Sequence, residues 1–456
     1  MNPGTLFARH VLFPLQCRRE HNHIPSYLRD LERSQWLEPA ELAELQVRRL
    51  RELLTHAGMQ SIYWRRVFAE AGFDPAGVRD VTDLRRLPTL DKRGLQSHHE
   101  EMRAPGHAGR LIPDKTGGST GEPVRFDLDE RRFYYRRAVE IRHDRWTGWD
   151  VGDKAAYFWG HRRDVARPAS RLTRLRLKVM DRRIVLDTSS ITADAMERFR
   201  RRLLEHDPAI YVGYANALYL YARFLQKRGG DYQRPRSIVS SAEFLAPERR
   251  EVIESVFGCR VYDRYGSRET GLVASECGRG DAMHVAGESV LVEILRPDGA
   301  AASPGERGRV VVTDLMNHGM PLIRYEIRDM AEAVAVTCAC GRGLPRLRMA
   351  GGRVTDFLLA RDGRIVSGAS LTIFLAANAP GVAQAQLVQR TRDEVRIRVV
   401  PGEGYGPQTR EWLLRELPRY FGEEMSFGVD EVAEIPLAAS GKHRFSVCEL
   451  DPTELF

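Results

Sequence analysis

Between residues 130 and 263 the chain alternates helix-like and strand-like segments with a regularity that few folds satisfy. A helical stretch from Glu130 to about Arg145 is followed by an apolar strand at Ala155 to Trp159. Helical periodicity returns at 192–205, 216–228 and 247–257, and short apolar segments follow each run at 209–212, 237–240 and 259–263. Strands separated by helices cannot close as hairpins. Parallel pairing needs a crossover of a dozen or more residues, which these helices supply. The expectation is a layered α/β body on a largely parallel sheet.

After residue 285 the pattern changes. SVLVEILRPDG and GRVVVTDL read as strands separated by PDG and PGERG turns, the signals of antiparallel hairpins. Near Gly352 a further unit begins: DFLLARDGRIVSG is a hairpin, EVRIRVV an alternating strand and PQTREWLLRELPRYF a helix. A chain of 456 residues exceeds what one core normally holds. The expected division is therefore a large N-terminal α/β domain with an antiparallel β subdomain, residues 1–351, and a small α+β C-terminal domain, residues 352–456. Upstream, segment 39–57 sets Ala43, Val47, Leu50, Leu54 and Ala57 on one face of an amphipathic helix. Segment 84–110 reads as turns and short helix leading into a glycine-rich loop.

That loop is TGGSTGEP, residues 116–123. Glycines and short hydroxylated side chains leave backbone N–H groups exposed on a concave surface, which suits a phosphate. A Walker loop would continue into Gly-Lys-Ser/Thr, but Glu122 and Pro123 stand where that lysine belongs, which argues against an ordinary kinase or ATPase. Four more motifs follow in order: YGSRET at 265–270, RYEIRDM at 324–330, GGRVTD at 351–356 and SGKHR at 440–444. Each alone is weak.

Together, in this order, the five resemble the adenylate-forming superfamily of acyl-CoA and aryl-CoA synthetases, luciferases and peptide-synthetase adenylation domains. The chain looks most like the phenylacetate-CoA ligase branch with its CapK-like and coenzyme F390 synthetase-like relatives. The resemblance runs from about residue 25 to the C-terminus. It implies that ATP transfers AMP to a carboxylic acid with release of pyrophosphate, and that the acyl group passes to coenzyme A. Transfer to an amine or carrier protein is the alternative, and a non-catalytic nucleotide-binding relative in polysaccharide assembly is another. The small C-terminal domain is implied to be a mobile lid.

The resemblance also assigns roles. Thr116, Gly117, Gly118, Ser119, Thr120 and Gly121 would hold the β- and γ-phosphates. Glu269 corresponds to the glutamate that holds Mg²⁺, a hard cation that takes oxygen ligands. Tyr265 and Gly266 would line the adenine pocket, and Ala242 and Glu243 in SSAEF would pack against it. Asp329 matches the aspartate that accepts both ribose hydroxyls, and Arg353 the arginine of the domain junction. Lys442 matches the lid lysine that bridges carboxylate and α-phosphate. Two positions depart from the pattern: Arg268 replaces the usual threonine, and Thr355 and Asp356 stand where a hinge Asp or Lys is usual. Trp159, Tyr214 and Asn216 fall where the acid would lie, with an aryl acid favoured, though core packing explains such aromatics equally well.

The six cysteines do not suggest a disulfide framework in so long a chain. Cys277 and His284, in ECGRGDAMH, and the pair Cys338 and Cys340, in TCACGRG, could complete a four-coordinate structural zinc shell. Cys277 as a small buried hydrophobe and His284 as a surface residue is the competing reading. The polar, glycine-rich settings suit ligand loops better than a core.

A formal charge of +8 and the basic stretch 162–183 raise attraction to an acidic partner. Leu172, Leu175 and Val179 fall at helical spacing there, so a solvated amphipathic helix accounts for it. No nucleic-acid signature accompanies the charge, and the phosphates of ATP, CoA or an acidic carrier are the expected targets. No apolar run approaches the roughly 18 residues of a membrane span. Arg9, His10, Arg18 and Arg19 interrupt any signal-peptide core, and the expected location is cytoplasmic.

Overall fold

The computed structural model describes residues 3–104, 110–115, 124–159, 182–188, 190–191, 193–280, 282–296, 298–350, 357–362, 364–436 and 444–450. The phosphate-loop motif at 116–123, Arg353 and Lys442 lie outside these residues, as does most of the basic stretch 162–183.

A short hairpin, β1 (Leu111–Lys115) and β2 (Arg125–Asp129), leads directly into the helix Glu130–Trp146. Asp129 fixes the junction. Its buried carboxylate accepts from the Arg132 N–H at 2.6 Å as N-cap, and from the N–H groups of His318 at 2.7 Å and Gly319 at 3.1 Å. Gly319 packs closely here: a Cβ would stand 2.4 Å from Leu111 Cδ2 and 3.0 Å from Asp129 Cβ, so Leu111 would have to shift to admit one.

The expected alternation is present. Strands β3 (Ala155–Trp159), β4 (Arg183–Asp187), β6 (Ile210–Tyr214), β7 (Ser237–Ser241) and β8 (Val261–Ser267) pair in parallel in the order β4-β3-β6-β7-β8, with β5 (Ser190–Ile191) outside that sheet. The helices Ala193–His206, Ala215–Arg228 and Pro247–Phe257 make the crossovers. They bury Phe199, Tyr221 and Phe257 with the strand residues Phe158 and Tyr211 in one aromatic core.

The antiparallel part is continuous with this sheet. From β8 the order runs through β9 (Gly271–Ser275), β10 (Met283–Val285), β14 (Arg346–Met349), β13 (Tyr325–Val334), β12 (Arg307–Asp314) and β11 (Val290–Leu295), all antiparallel, giving eleven strands in one sheet. The expectation of a largely parallel sheet holds for the first half only. Hairpin turns told the strand direction after 285, but not that β9 would pair with β8 and carry one sheet across both halves.

The helix Pro39–Gln60 forms with a face rotated from the expected one. Leu42, Gln46, Leu50, Leu53, Leu54 and Ala57 are buried, and Ala43 is exposed. Gln46 explains the rotation: its side-chain amide donates to the Gly287 carbonyl at 3.0 Å, so a polar residue belongs to the inner face. Nearby, Arg142 and Glu288 form a fully buried ion pair, with Nη1–Oε1 at 2.7 Å and Nη2–Oε2 at 3.2 Å, and the Ser34 hydroxyl also donates to Glu288 at 2.8 Å. This joins the helices Ile24–Ser34 and Glu130–Trp146 to the segment before β11.

Residues beyond 357 have their own apolar core, built from Leu358, Leu375, Leu387, Ile397, Leu413 and Phe421 among others. Strands β17 (Val382–Thr391), β18 (Glu394–Pro401), β19 (Ser426–Glu431) and β20 (Ser446–Cys448) form a mixed sheet covered by the helices Gly368–Asn378 and Pro407–Glu416. The hairpin β15 (Phe357–Leu359) and β16 (Ile365–Ser367) takes β5 as third strand, with Ile365 opposite Ile191.

Candidate active site and cysteine-histidine cluster

Glu269 occupies the three-residue turn between β8 and β9, where the sheet changes from parallel to antiparallel pairing. In open α/β sheets ligands bind beyond the carboxyl ends of the parallel strands. The turn is closed by Gly271 at φ +72° and by Ser267, whose Oγ accepts from the Thr270 N–H at 3.1 Å. Glu269 is 9% exposed, and its Oε1 accepts from the Tyr325 hydroxyl at 2.9 Å. One carboxylate oxygen is thus held by a neighbouring strand of the same sheet. Sequence reasoning missed Tyr325, which sits inside RYEIRDM itself. An alternating strand explains a tyrosine without further function, so only the fold reveals its reach to Glu269.

Ala242, at the carboxyl end of β7, adopts φ +67°, an uncommon conformation for a residue with a Cβ. The adjoining Glu243 carboxylate accepts from the Asn216 N–H at 2.9 Å, at the start of the helix Ala215–Arg228, where an anion is favoured. Tyr265 is buried in the core between the Glu130–Trp146 helix and the sheet, and Gly266 lies where a Cβ would meet the Gly271 carbonyl oxygen at 2.5 Å. Trp159 and Tyr214, at the carboxyl ends of adjacent strands β3 and β6, stack with centroids 4.4 Å apart and planes at 28°.

Asp329 sits in an irregular part of β13. Met330 is opposite Arg309 and Glu326 is opposite Val311, so Ile327–Asp329 bulge from the ladder, as strands do where they re-aim side chains. Arg324 of the same motif binds Glu293 through Nε at 2.9 Å and Nη2 at 3.0 Å. The Arg268 guanidinium reaches to 3.8 Å from Asp114 Oδ1, near the end of β1.

Two residues before Tyr265, Asp263 is buried beside Glu276. Burial first, and the Glu276 charge second, raise its carboxyl to about 8. An unfolded aspartate titrates near ~3.9, so between about pH 4 and 8 the folded state keeps a proton that the unfolded state has released. Stability therefore falls as pH rises through that window. Asp263→Asn, uncharged at every pH, is expected to lose less melting temperature than wild type between pH 5 and 8. Equal losses in the two proteins would count against a protonated Asp263.

The four metal candidates come together. Cys277, His284, Cys338 and Cys340 present ligand atoms that all lie within 4.8 Å of one another. Cys277 Sγ is 3.6 Å from Cys338 Sγ, and Cys340 Sγ is 3.3 Å from His284 Nε2. His284 lies in β10 between β9 and β14 and is fully buried, so the surface reading fails for it. Burial, reinforced by nearby arginine charges, lowers its imidazole to about 4, leaving it neutral as a metal ligand must be. Burial pushes the Cys277 thiol up to about 12. Burial also acts to raise Cys340, yet hydrogen bonds from Arg342 and the neighbouring thiols hold it below the ordinary thiol value.

The cluster is tied to the N-terminal helices. Arg342 lies between Trp36 and Trp146, 4.7 and 4.5 Å from their rings, and Gln35 Oε1 accepts from both Arg342 Nε and Trp146 Nε1 at 2.9 Å. Among the described residues no helix is long and apolar enough to cross a membrane.

The chain is similar to known proteins along most of its length. The CapK C-terminal domain family model matches residues 358–449. Protein CapK of Staphylococcus aureus is 22% identical over 435 residues, 89% of each chain. Phenylacetate-coenzyme A ligase of Escherichia coli K12 is 26% identical over 330 residues, 70% of this chain and 73% of that one. A crystal structure of 2-hydroxyisobutyryl-CoA ligase with 2-HIB-AMP and CoA superposes with TM-score 0.63 at 18% identity, covering 93% of both chains, a likeness of fold. The ordered motifs, these relatives and the shared fold point the same way: over most of its length the chain is similar to CapK and the phenylacetate-CoA ligases, and it has the fold of an adenylate-forming CoA ligase.

Proposed function

We propose that the protein is an ATP- and Mg²⁺-dependent ligase that activates a carboxylic acid as its acyl-adenylate and transfers the acyl group to coenzyme A. The supporting observation is Glu269, presented at the carboxyl edge of the parallel strands with one oxygen fixed by Tyr325. A carboxylate oxygen of the acid attacks the α-phosphorus of ATP, and the bond to pyrophosphate breaks. The CoA sulfur then attacks the acyl carbon and AMP leaves. Mg²⁺, when bound, neutralises phosphate charge during the first displacement.

In this reading Glu269 holds the cation, Asp329 accepts the ribose hydroxyls, and Ala242, Glu243, Tyr265 and Gly266 border the adenine. The loop Thr116, Gly117, Gly118, Ser119, Thr120 and Gly121 binds the departing pyrophosphate through backbone donors, Arg353 contacts ribose or phosphate, and Lys442 bridges the reacting groups. Residues 352–456 act as a lid over residues 1–351. The stacked Trp159 and Tyr214 offer a flat wall that favours an aryl acid. The three thiols and one imidazole fit a closed structural zinc site, for which soft sulfur and neutral nitrogen are the preferred donors.

Carboxylate-dependent exchange of labelled pyrophosphate into ATP, across a panel of aryl and aliphatic acids, tests the first half-reaction. Exchange with at least one acid, and thioester formation on adding CoA, are expected. Silence with every acid would overturn the catalytic reading, and consumption of the adenylate by an amine but not CoA would replace the acceptor.

A further inference from the structure

Beneath the Glu269 turn lie two arginines that no motif announces. Arg132 and Arg136 stand one turn apart on the helix Glu130–Trp146, so both project to the same side. Arg132 Nη2 donates to the Thr270 carbonyl, and Arg136 Nη2 donates to the carbonyls of Arg268 and, at 3.5 Å, Ser267. The carbonyls on both sides of Glu269 thus end on guanidinium groups from a single helix. That helix also continues from the β1–β2 hairpin through Asp129, so the hairpin and the Glu269 turn share one support.

The brace is electrostatically costly. Arg132 is fully buried and pairs with the equally buried Asp314 at 2.6 Å. Arg136 is held below the usual arginine value, to about 10, by burial first and then by the neighbouring Arg132 charge, and it stays cationic at neutral pH. A fully buried arginine beside a half-buried one places two like charges one helical turn apart, and among the described residues only Arg132 has a buried carboxylate to compensate it. Gly271, already favoured by its φ of +72°, leaves room for Arg136: a Cβ there would stand 2.5 Å from Arg136 Nε.

We propose that Arg136, supported by Arg132, is a positioning residue for the Glu269 carboxylate. It fixes the Ser267 and Arg268 carbonyls that precede the glutamate while Arg132 holds the Thr270 carbonyl beyond it, and its positive charge favours the magnesium-bound phosphates that approach the turn. One nitrogen, Nη2, serves both carbonyls, and its N–H bonds are held in the plane of the guanidinium, whereas the N–H bonds of an ammonium on a flexible stem rotate freely. The proposal rests on the ligase reading given above.

The test compares Arg136→Met and Arg136→Lys with wild type in two independent measurements. The first is the Mg²⁺ dependence of pyrophosphate exchange alongside KM for the acid. The second is amide hydrogen exchange over residues 266–271 without nucleotide. In Arg136→Met the Mg²⁺ concentration for half-maximal rate should rise about tenfold or more, the range usual for groups that orient metal ligands. KM for the acid should stay unchanged, and the turn amides should lose protection. Arg136→Lys, which keeps the charge and loses the planar donor group, should fall between, and it carries the test if the methionine variant does not fold. Wild-type Mg²⁺ dependence and wild-type turn protection in both variants would overturn the proposal. So would equal losses in Mg²⁺ and acid dependence together with a general fall in melting temperature. If wild type itself catalyses no pyrophosphate exchange, the ligase reading fails, and turn protection with binding of Mg²⁺·ATP decides the brace separately.

Discussion

Lys442→Ala is expected to lower pyrophosphate exchange by about two to three orders of magnitude while leaving ATP affinity and melting temperature near wild type. The ammonium, on a flexible stem, meets negative charge that develops between the acid and the α-phosphorus, so its contribution appears in the transition state more than in the ground state. Lys442→Arg should not restore the rate, because a planar fork replaces a compact point charge. Steady-state exchange with ATP binding measured by calorimetry separates the two effects. A Lys442→Ala enzyme with wild-type turnover would remove this residue from the mechanism.

Removing the metal is the second large effect expected. Protein purified without added metal should carry about one zinc per chain, the content of a single closed Cys₃His shell. Stripping it with a chelator, or replacing Cys338 by serine, should lower the melting temperature before it alters chemistry. At free zinc a thousandfold above its dissociation constant, binding to the folded state alone contributes about 4 kcal/mol. The effect should spread beyond the loops themselves, because Arg342, two residues after Cys340, is gripped by Trp36 and Trp146. Metal-free protein with an unchanged melting temperature would return the four residues to ordinary buried side chains.

Local structure was legible because it depends on local periodicity. The alternating elements between 130 and 263 appear within a few residues of where apolar spacing sets them, and the C-terminal hairpin, strand and helix likewise. What the sequence hid was tertiary. ERRFYYRRAVEIRHDRW looks like a helix bathed in solvent, yet Arg132 and Arg142 are among its most deeply buried residues. Charge predicts exposure only until a buried partner, here Asp314 or Glu288, compensates it. Similarly, the pattern of 39–57 favoured Ala43 over Gln46, because a glutamine reads as polar until the Gly287 carbonyl is in place to receive it. The cysteine–histidine cluster was the reverse case. Its two halves are about sixty residues apart in the chain, but the chemical identity of the donors marked them before any fold was known.

The third strand that β5 contributes to the β15–β16 hairpin bears on how this protein is divided for experiment. A fragment beginning at residue 352 would keep its own apolar core but release the edge of β16 from Ser190 and Ile191. Open edges of this kind recruit other strands, and fragments with the same exposed edge pair with each other. Covalently linking residues 187–192 to the fragment's N-terminus would supply the missing strand in cis, and so would turn a self-associating piece into a monomeric one.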